Sequence, residues 1–159
     1  MSNLGPVFEP IIGRYFNLNF EGRDHRIYFE EAGSGIPLVC LHTAGSDARQ
    51  FRHLMCDAKI TDHYRVIAFD LPWHGKSNPP KGWEAEEYQL ETKGYKNLVR
   101  VFCQAMALDK PVVMGCSMGG RVVLHLALDH PDEFRTVIAL EGADRLQPYY
   151  DTSWLNRPD

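Results

Sequence analysis

Gly115-Cys116-Ser117-Met118-Gly119-Gly120 stands between an apolar run, Pro111 to Met114, and a helix-like run, Arg121 to Asp129. It therefore reads as the turn from a strand into a helix. The pattern is G-x-S-x-G, and its context gives it meaning: such a turn is tight and strained and holds its serine at the top of a sheet. Gly115 and Gly119 flank Ser117 because the turn brings neighbouring backbone so close that side chains there would collide. A helix beginning just after Ser117 aims free N–H groups and the positive end of its dipole at the serine, which favours negative charge there. An acyl-transfer nucleophile needs that electrostatic environment.

Outward from this turn, strands alternate with helices. Tyr15 to Phe20 and Arg26 to Glu31, separated by the turn residues Glu21 to Asp24, predict an antiparallel hairpin at a sheet edge. Pro37 to Leu41 is a short apolar run ending in His42-Thr43-Ala44-Gly45, the pattern of a buried strand delivering a functional loop. Gln50 to Met55 reads as a short helix. Tyr64 to Phe69 is the next strand, closed by Asp70-Leu71-Pro72-Trp73-His74-Gly75-Lys76-Ser77. Its Gly75-Lys76-Ser77 triplet lacks the earlier glycine of a phosphate-binding loop, because position 70 is Asp, so nucleotide binding is rejected. Glu84 to Asp109 predicts a helix with Leu98, Val101, Phe102, Ala105 and Met106 on its core stripe. After the Gly-rich turn, Val122, Val123, Leu126 and Ala127 face inward until Asp129-His130-Pro131 stops the helix. Thr136 to Leu140 is the last apolar strand and delivers Glu141-Gly142-Ala143-Asp144. The expected class is α/β, a doubly wound, mostly parallel sheet with an N-terminal antiparallel hairpin. Residues 1–144 would form the core, and 145–159 would begin a lid or linker.

Composition narrows the classes. The 159 residues suffice for one domain with a real core. A net charge of −4 with 24% charged residues offers no basic surface for nucleic acid. Cys40, Cys56, Cys103 and Cys116 show no metal-site spacing and read as buried thiols in a reducing compartment. Met1 to Pro10 lacks the unbroken apolar segment of a signal peptide, and no stretch reaches transmembrane length. The expectation is a cytoplasmic protein with no membrane or nucleic-acid partner, no metal and no cofactor.

The three ordered motifs, Leu41-His42-Thr43-Ala44-Gly45, Asp70 to Ser77 and Gly115 to Gly120, together resemble the α/β-hydrolase superfamily, in its branch of esterases, C–C bond hydrolases and haloperoxidase-like enzymes. The resemblance implies the α/β-hydrolase fold and a Ser-His-acid triad. Ser117 would be the nucleophile, and the N–H groups of Met118 and Ala44 would form the oxyanion hole. Where the family usually has His-Gly, this chain has His42-Thr43, and a β-branched residue does not cheaply take a positive φ. A serine at the turn argues against dehalogenases and epoxide hydrolases, which resemble this fold but use aspartate. Some relatives place the triad acid at the end of the sixth strand, where Glu141 stands, although most place it after a seventh.

A serine hydroxyl is a weak nucleophile until a base takes its proton. In the family the histidine follows the last strand, but His25, His42, His53, His63, His74, His125 and His130 all precede the end of the sixth. The chain therefore reads as the N-terminal part of such a hydrolase, with the last strands and the lid missing. A C-terminal segment, cleaved in or near Asn156 to Asp159, is expected to remain bound as a second chain and supply the histidine. Without further strands, Thr136 to Leu140 would be an exposed apolar edge. The leading reading is a serine esterase acting on a small-molecule ester. Thioesters and activated C–C bonds suit the same machinery, and a non-turnover ligand-binding relative is the alternative of another class. Trp73, Trp83, Tyr149, Tyr150 and Trp154 suggest an aromatic or apolar acyl pocket.

Overall fold

The computed structural model describes residues 7–86 and 91–143; the proposed lid start at 145–159, with Tyr149, Tyr150 and Trp154, lies outside them. Strands β1 (Ile12–Phe20), β2 (Arg23–Ala32), β3 (Ile36–Leu41), β4 (Tyr64–Phe69), β5 (Val112–Cys116) and β6 (Thr136–Leu140) form one sheet in the order β1-β2-β4-β3-β5-β6. β1 and β2 are antiparallel, and β2 joins β4 antiparallel. β4, β3, β5 and β6 run parallel. The hairpin strands are longer than the sequence suggested because the turn is only Glu21-Gly22, both with positive φ (51° and 76°). That is the backbone of a two-residue turn whose twist matches the strands, so the ladder closes up to Phe20 opposite Arg23.

Helices cover both faces. On one side lie α1 (Arg52–Cys56) and α2 (Ala58–Thr61), which follow a single 3-10 turn at Ala48–Phe51. Phe51 and Met55 pack there on Leu38, Cys40, Val66 and Ala68. On the other lie α3 (Thr92–Ala105) and α4 (Met118–Asp129). They bury Leu98, Val99, Phe102, Val122, Val123 and Leu126 against Phe29, Val39, Leu41, Ile67, Phe69 and Val113. Successive residues of β3 and β4 thus enter opposite cores, which is why both strands read as unbroken apolar runs.

Three expectations need correction. The helix predicted over Glu84 to Asp109 is α3 alone, with a separate 3-10 turn at Trp83–Ala85. Its C-terminus is closed early. Ala107 takes φ 51°, and the N–H groups of Leu108 and Ala107 return to the carbonyls of Cys103 and Gln104, at 3.0 Å each. This paired capping arrangement usually carries glycine at the left-handed position, and here alanine gave no such signal. The buried stripe is accordingly Tyr95, Leu98, Val99, Phe102 and Cys103, while Ala105 is exposed. Lastly, Cys40 and Cys103 are buried, but Cys56 is exposed and Cys116 half-buried. All four are free thiols. Burial pushes Cys103 up to about 12 and raises Cys40 further, so neither is a nucleophile.

Among the described residues β6 is the sheet's outer strand, with Ile138 and Leu140 38% and 45% exposed. No helix among the described residues is long and apolar enough to cross a membrane.

Phe102 stacks on Phe69 at 4.4 Å and meets Phe16 and Phe29 edge-on at 6.0 Å, which makes it the hub joining α3 to three strands. Truncating Phe102→Ala is expected to lower the unfolding free energy by about 3–5 kcal/mol, measured by urea denaturation. A loss below about 1 kcal/mol would contradict this placement of the core.

Candidate active site

Ser117 stands between β5 and α4 with φ 52° and ψ −108°, outside every region that a non-glycine residue adopts without strain. Holding it there costs about 1–3 kcal/mol, supplied by the surrounding structure. The supports are close backbone approaches. A Cβ on Gly119 would sit on the Leu41 carbonyl, and one on Gly115 would sit on the Gly119 carbonyl. A Cβ on Gly120 would lie 2.7 Å from the Leu140 oxygen. The Ser117 N–H donates to that same Leu140 oxygen at 2.9 Å. The turn is thereby clamped between the ends of β3 and β6.

Ser117 is also the residue preceding α4, a position where a serine side chain commonly caps the helix. It makes no cap bond here, and the residue is exposed, so Oγ is left for chemistry. Met118, the first helical residue, has no carbonyl four residues back within the helix, and its N–H points out at the helix start beside Ser117. Ala44 lies in the turn Thr43 to Ser46, where Ser46 N–H donates to the Thr43 oxygen at 3.1 Å. Ala44 is exposed, and its N–H donates to no acceptor among the described residues. β3 and β5 are adjacent and parallel, so the loop carrying Ala44 and the Ser117–Met118 turn both leave from the C-terminal ends of neighbouring strands.

Thr43 stays out of the positive-φ region, and its N–H is taken by Gln50 Oε1 at 3.0 Å. The loop thus tolerates a β-branched residue by using the Gln50 amide as a brace. Glu141 follows β6 with φ 50° and is exposed; the Ser117–Leu140 bond sets its backbone beside the strand-to-helix turn at Ser117, the elbow.

Two residues that the motifs did not single out organise the loops. His42 is fully buried: its Nδ1–H donates to the Thr43 carbonyl at 2.7 Å, and its Nε2 accepts the Leu71 N–H at 3.1 Å. That pair of roles fixes one neutral tautomer. Burial, aided by His74 at 4.9 Å between ring centres, holds His42 below the usual imidazole range. Asp70, 2% exposed, accepts the N–H groups of Ala48 at 2.7 Å and Lys76 at 2.6 Å. It joins the loops after β3 and β4, and Gly75 is required because a Cβ there would strike the Asp70 carboxylate. Ser77 also faces inward: it donates to the Asp70 carbonyl at 2.6 Å and accepts the Tyr28 N–H at 2.9 Å. The Gly75-Lys76-Ser77 triplet is internal bracing. A sequence signal existed for these residues, namely polar groups ending apolar strands, but their partners lie 22 and 29 positions away.

Among the described residues no histidine hydrogen-bonds Ser117. His74 Nδ1–H donates to the Pro72 carbonyl at 3.0 Å, and His130 lies 3.4 Å from Glu133. No group of three or more His, Cys, Asp or Glu side chains among the described residues could hold a metal ion.

Burial also lowers His25, so both it and His42 resist protonation in the folded chain while the unfolded chain takes up protons near pH 6.5. Stability is therefore full above that pH and falls as pH drops below it, by up to about 1.4 kcal/mol per pH unit for each group. Urea midpoints between pH 7.5 and 5.5 test this. The slope should shrink in His42→Gln, and a flat profile in the parent chain would contradict it.

Residues 36–158 match the family whose description is alpha/beta hydrolase fold. The chain is 31% identical over 127 residues to 2-(acetamidomethylene)succinate hydrolase of Mesorhizobium japonicum, covering 79% of this chain and 41% of that protein. It is 34% identical over 115 residues to bifunctional epoxide hydrolase 2 of Sus scrofa, covering 72% of this chain and 20% of that protein. Among solved structures, a thermophilic esterase from Thermogutta terrifontis superposes with a TM-score of 0.67 at 22% identity, covering 78% of this chain and 44% of that one. The chain thus spans less than half the length of these curated relatives. With its elbow, its paired strand-end loops and this match over most of its length, the chain belongs to the α/β-hydrolase fold family.

Proposed function

We propose that this chain carries the nucleophile half of a serine hydrolase that cleaves carboxylic esters through an acyl-enzyme on Ser117. The observation that carries the reading is the strained Ser117 at the head of α4, with its Oγ uncommitted to capping. Serine attacks the ester carbonyl carbon while a base removes the Oγ proton. The oxyanion that develops is stabilised by the N–H groups of Met118 and Ala44. Collapse expels the alcohol, protonated by the same base, and water then repeats the sequence on the acyl-enzyme. A carboxylate nucleophile, as an alkyl-enzyme ester would need, does not stand at this position. The same machinery would accept thioesters or activated C–C bonds, but no feature of the site favours them.

His42 is committed on both ring nitrogens and no described histidine meets Ser117, which supports a base from outside the described residues. In this reading a C-terminal segment of the same hydrolase, bound as a second chain, supplies it and seats on the β6 side of the sheet. Glu141 is the proposed acid, placed by the β6 end beside the elbow. Free thiols at all four cysteines support a cytoplasmic setting.

With the C-terminal segment present, Ser117→Ala is expected to lower kcat for an activated ester by at least about a thousandfold. Glu141→Gln should lower it by about a hundredfold or more with KM little changed. Unchanged turnover in Ser117→Ala would refute the acyl-enzyme. Unchanged turnover in Glu141→Gln would remove that residue from the triad.

A further inference from the structure

A cleft of about 270 Å³ lies where the end of β1, the loop after β4 and the first turns of α3 meet, walled by Phe20, Pro72, Trp73, Tyr95 and Leu98. Two of its lining residues occupy positions that their own backbone conformations disfavour. Trp73 has φ 73°, left-handed backbone that a bulky side chain adopts only when something holds it there. Its indole meets Trp83 edge-on at 5.2 Å. Gly94 is the third residue of α3, where glycine weakens a helix. Its φ is not left-handed, and a Cβ added to it would meet no described atom within 4 Å. Among the described residues, neither backbone geometry nor close packing therefore asks for glycine. What the missing side chain leaves is space, and that space belongs to this cleft.

We infer that the cleft is a subsite for an uncharged aryl group of the substrate, kept open by Gly94 and walled by the strained Trp73. As an ester subsite it rests on the esterase reading above. An enclosed apolar cavity of about 150 Å³ accepts benzene, so an open cleft of this volume has room for a single ring with one end left to solvent. The lining rings supply apolar area and edge-to-face contacts. Glu91 on the lining disfavours a carboxylate or phosphate on the bound group. The subsite is also mechanically tied to the elbow. Arg121, four residues beyond Ser117, donates from Nε to Thr92 Oγ1 at 3.0 Å, which links the first turns of α4 and α3. Trp73 follows β4 and Ser117 follows β5 with β3 between them, so the two segments are separated by roughly 10 Å across the sheet.

The test uses 4-fluorobenzyl alcohol, an uncharged ring unreactive toward serine, titrated by fluorine NMR against the folded chain with its C-terminal segment present. Saturable binding is expected in the parent chain and equally in Ser117→Ala. Gly94→Leu should weaken it by at least about tenfold while keeping or raising Tm, because leucine is the better helix former and meets open space. Trp73→Gly should also weaken it, because it removes the wall while glycine takes this φ freely. Absence of saturable binding in the parent chain, or parent-like binding in Gly94→Leu, would overturn the inference. So would a lowered Tm in Gly94→Leu, which would mean that glycine serves packing. The hydrolase reading fails separately: a Ser117 that stays inert to acylating reagents with the C-terminal segment present, in a complex that still binds the ring, would leave a ligand site without an ester substrate.

Discussion

Everything near Ser117 depends on backbone approaching backbone where side chains have no room. Leu41 at the end of β3, Gly119 in the first turn of α4 and Leu140 at the end of β6 converge on the turn. Glycines at 115, 119 and 120 make the convergence possible, and its stiffness holds serine at φ 52°. A looser turn would let Ser117 relax to ordinary dihedrals and cap its own helix, which would bury the hydroxyl in a structural role. The strain is thus the local cost of an exposed Oγ beside unpaired helix donors, and it is offset by the packed sheet beneath.

The second constraint is the joining of the two loops that follow β3 and β4. His42 ties the loop after β3 to the one after β4 through Leu71, and Asp70 returns the tie through Ala48. These polar groups are buried and bonded, so they position the loops without leaving unsatisfied atoms. Ala44 is held on one side of this joint and Trp73 on the other. The proposed oxyanion donor and the aryl subsite wall therefore share one support, and disturbing His42 would move both.

The sheet was legible because β3 and β4 are buried on both faces and write continuous apolar runs, while β1 alternates. The elbow was legible because its glycines flank the serine in a recognisable pattern, although Gly119 and Gly120 answer steric demands made by Leu41 and Leu140. The end of α3 was not, since Ala107 adopts a left-handed cap for which glycine is the usual marker. Starting the core stripe at Leu98 missed Tyr95, and it included Ala105, which is exposed. His42 and Asp70 were visible as strand-end polar residues, but their roles depend on partners that only the folded sheet brings near. Trp73 ran against propensity altogether: nothing local to a tryptophan announces positive φ, and the conflict appears only once the backbone is seen.

The central claim is that Ser117 is an activated nucleophile completed by a histidine from elsewhere. The most direct measurement is the intact mass, under denaturing conditions, of the protein with its C-terminal segment after treatment with a fluorophosphonate. The account predicts a single adduct mapping to Ser117 on this chain, accompanied by a second, unmodified mass from the segment that supplies the base. A folded complex that yields no adduct, or one whose adduct maps away from Ser117, would contradict it.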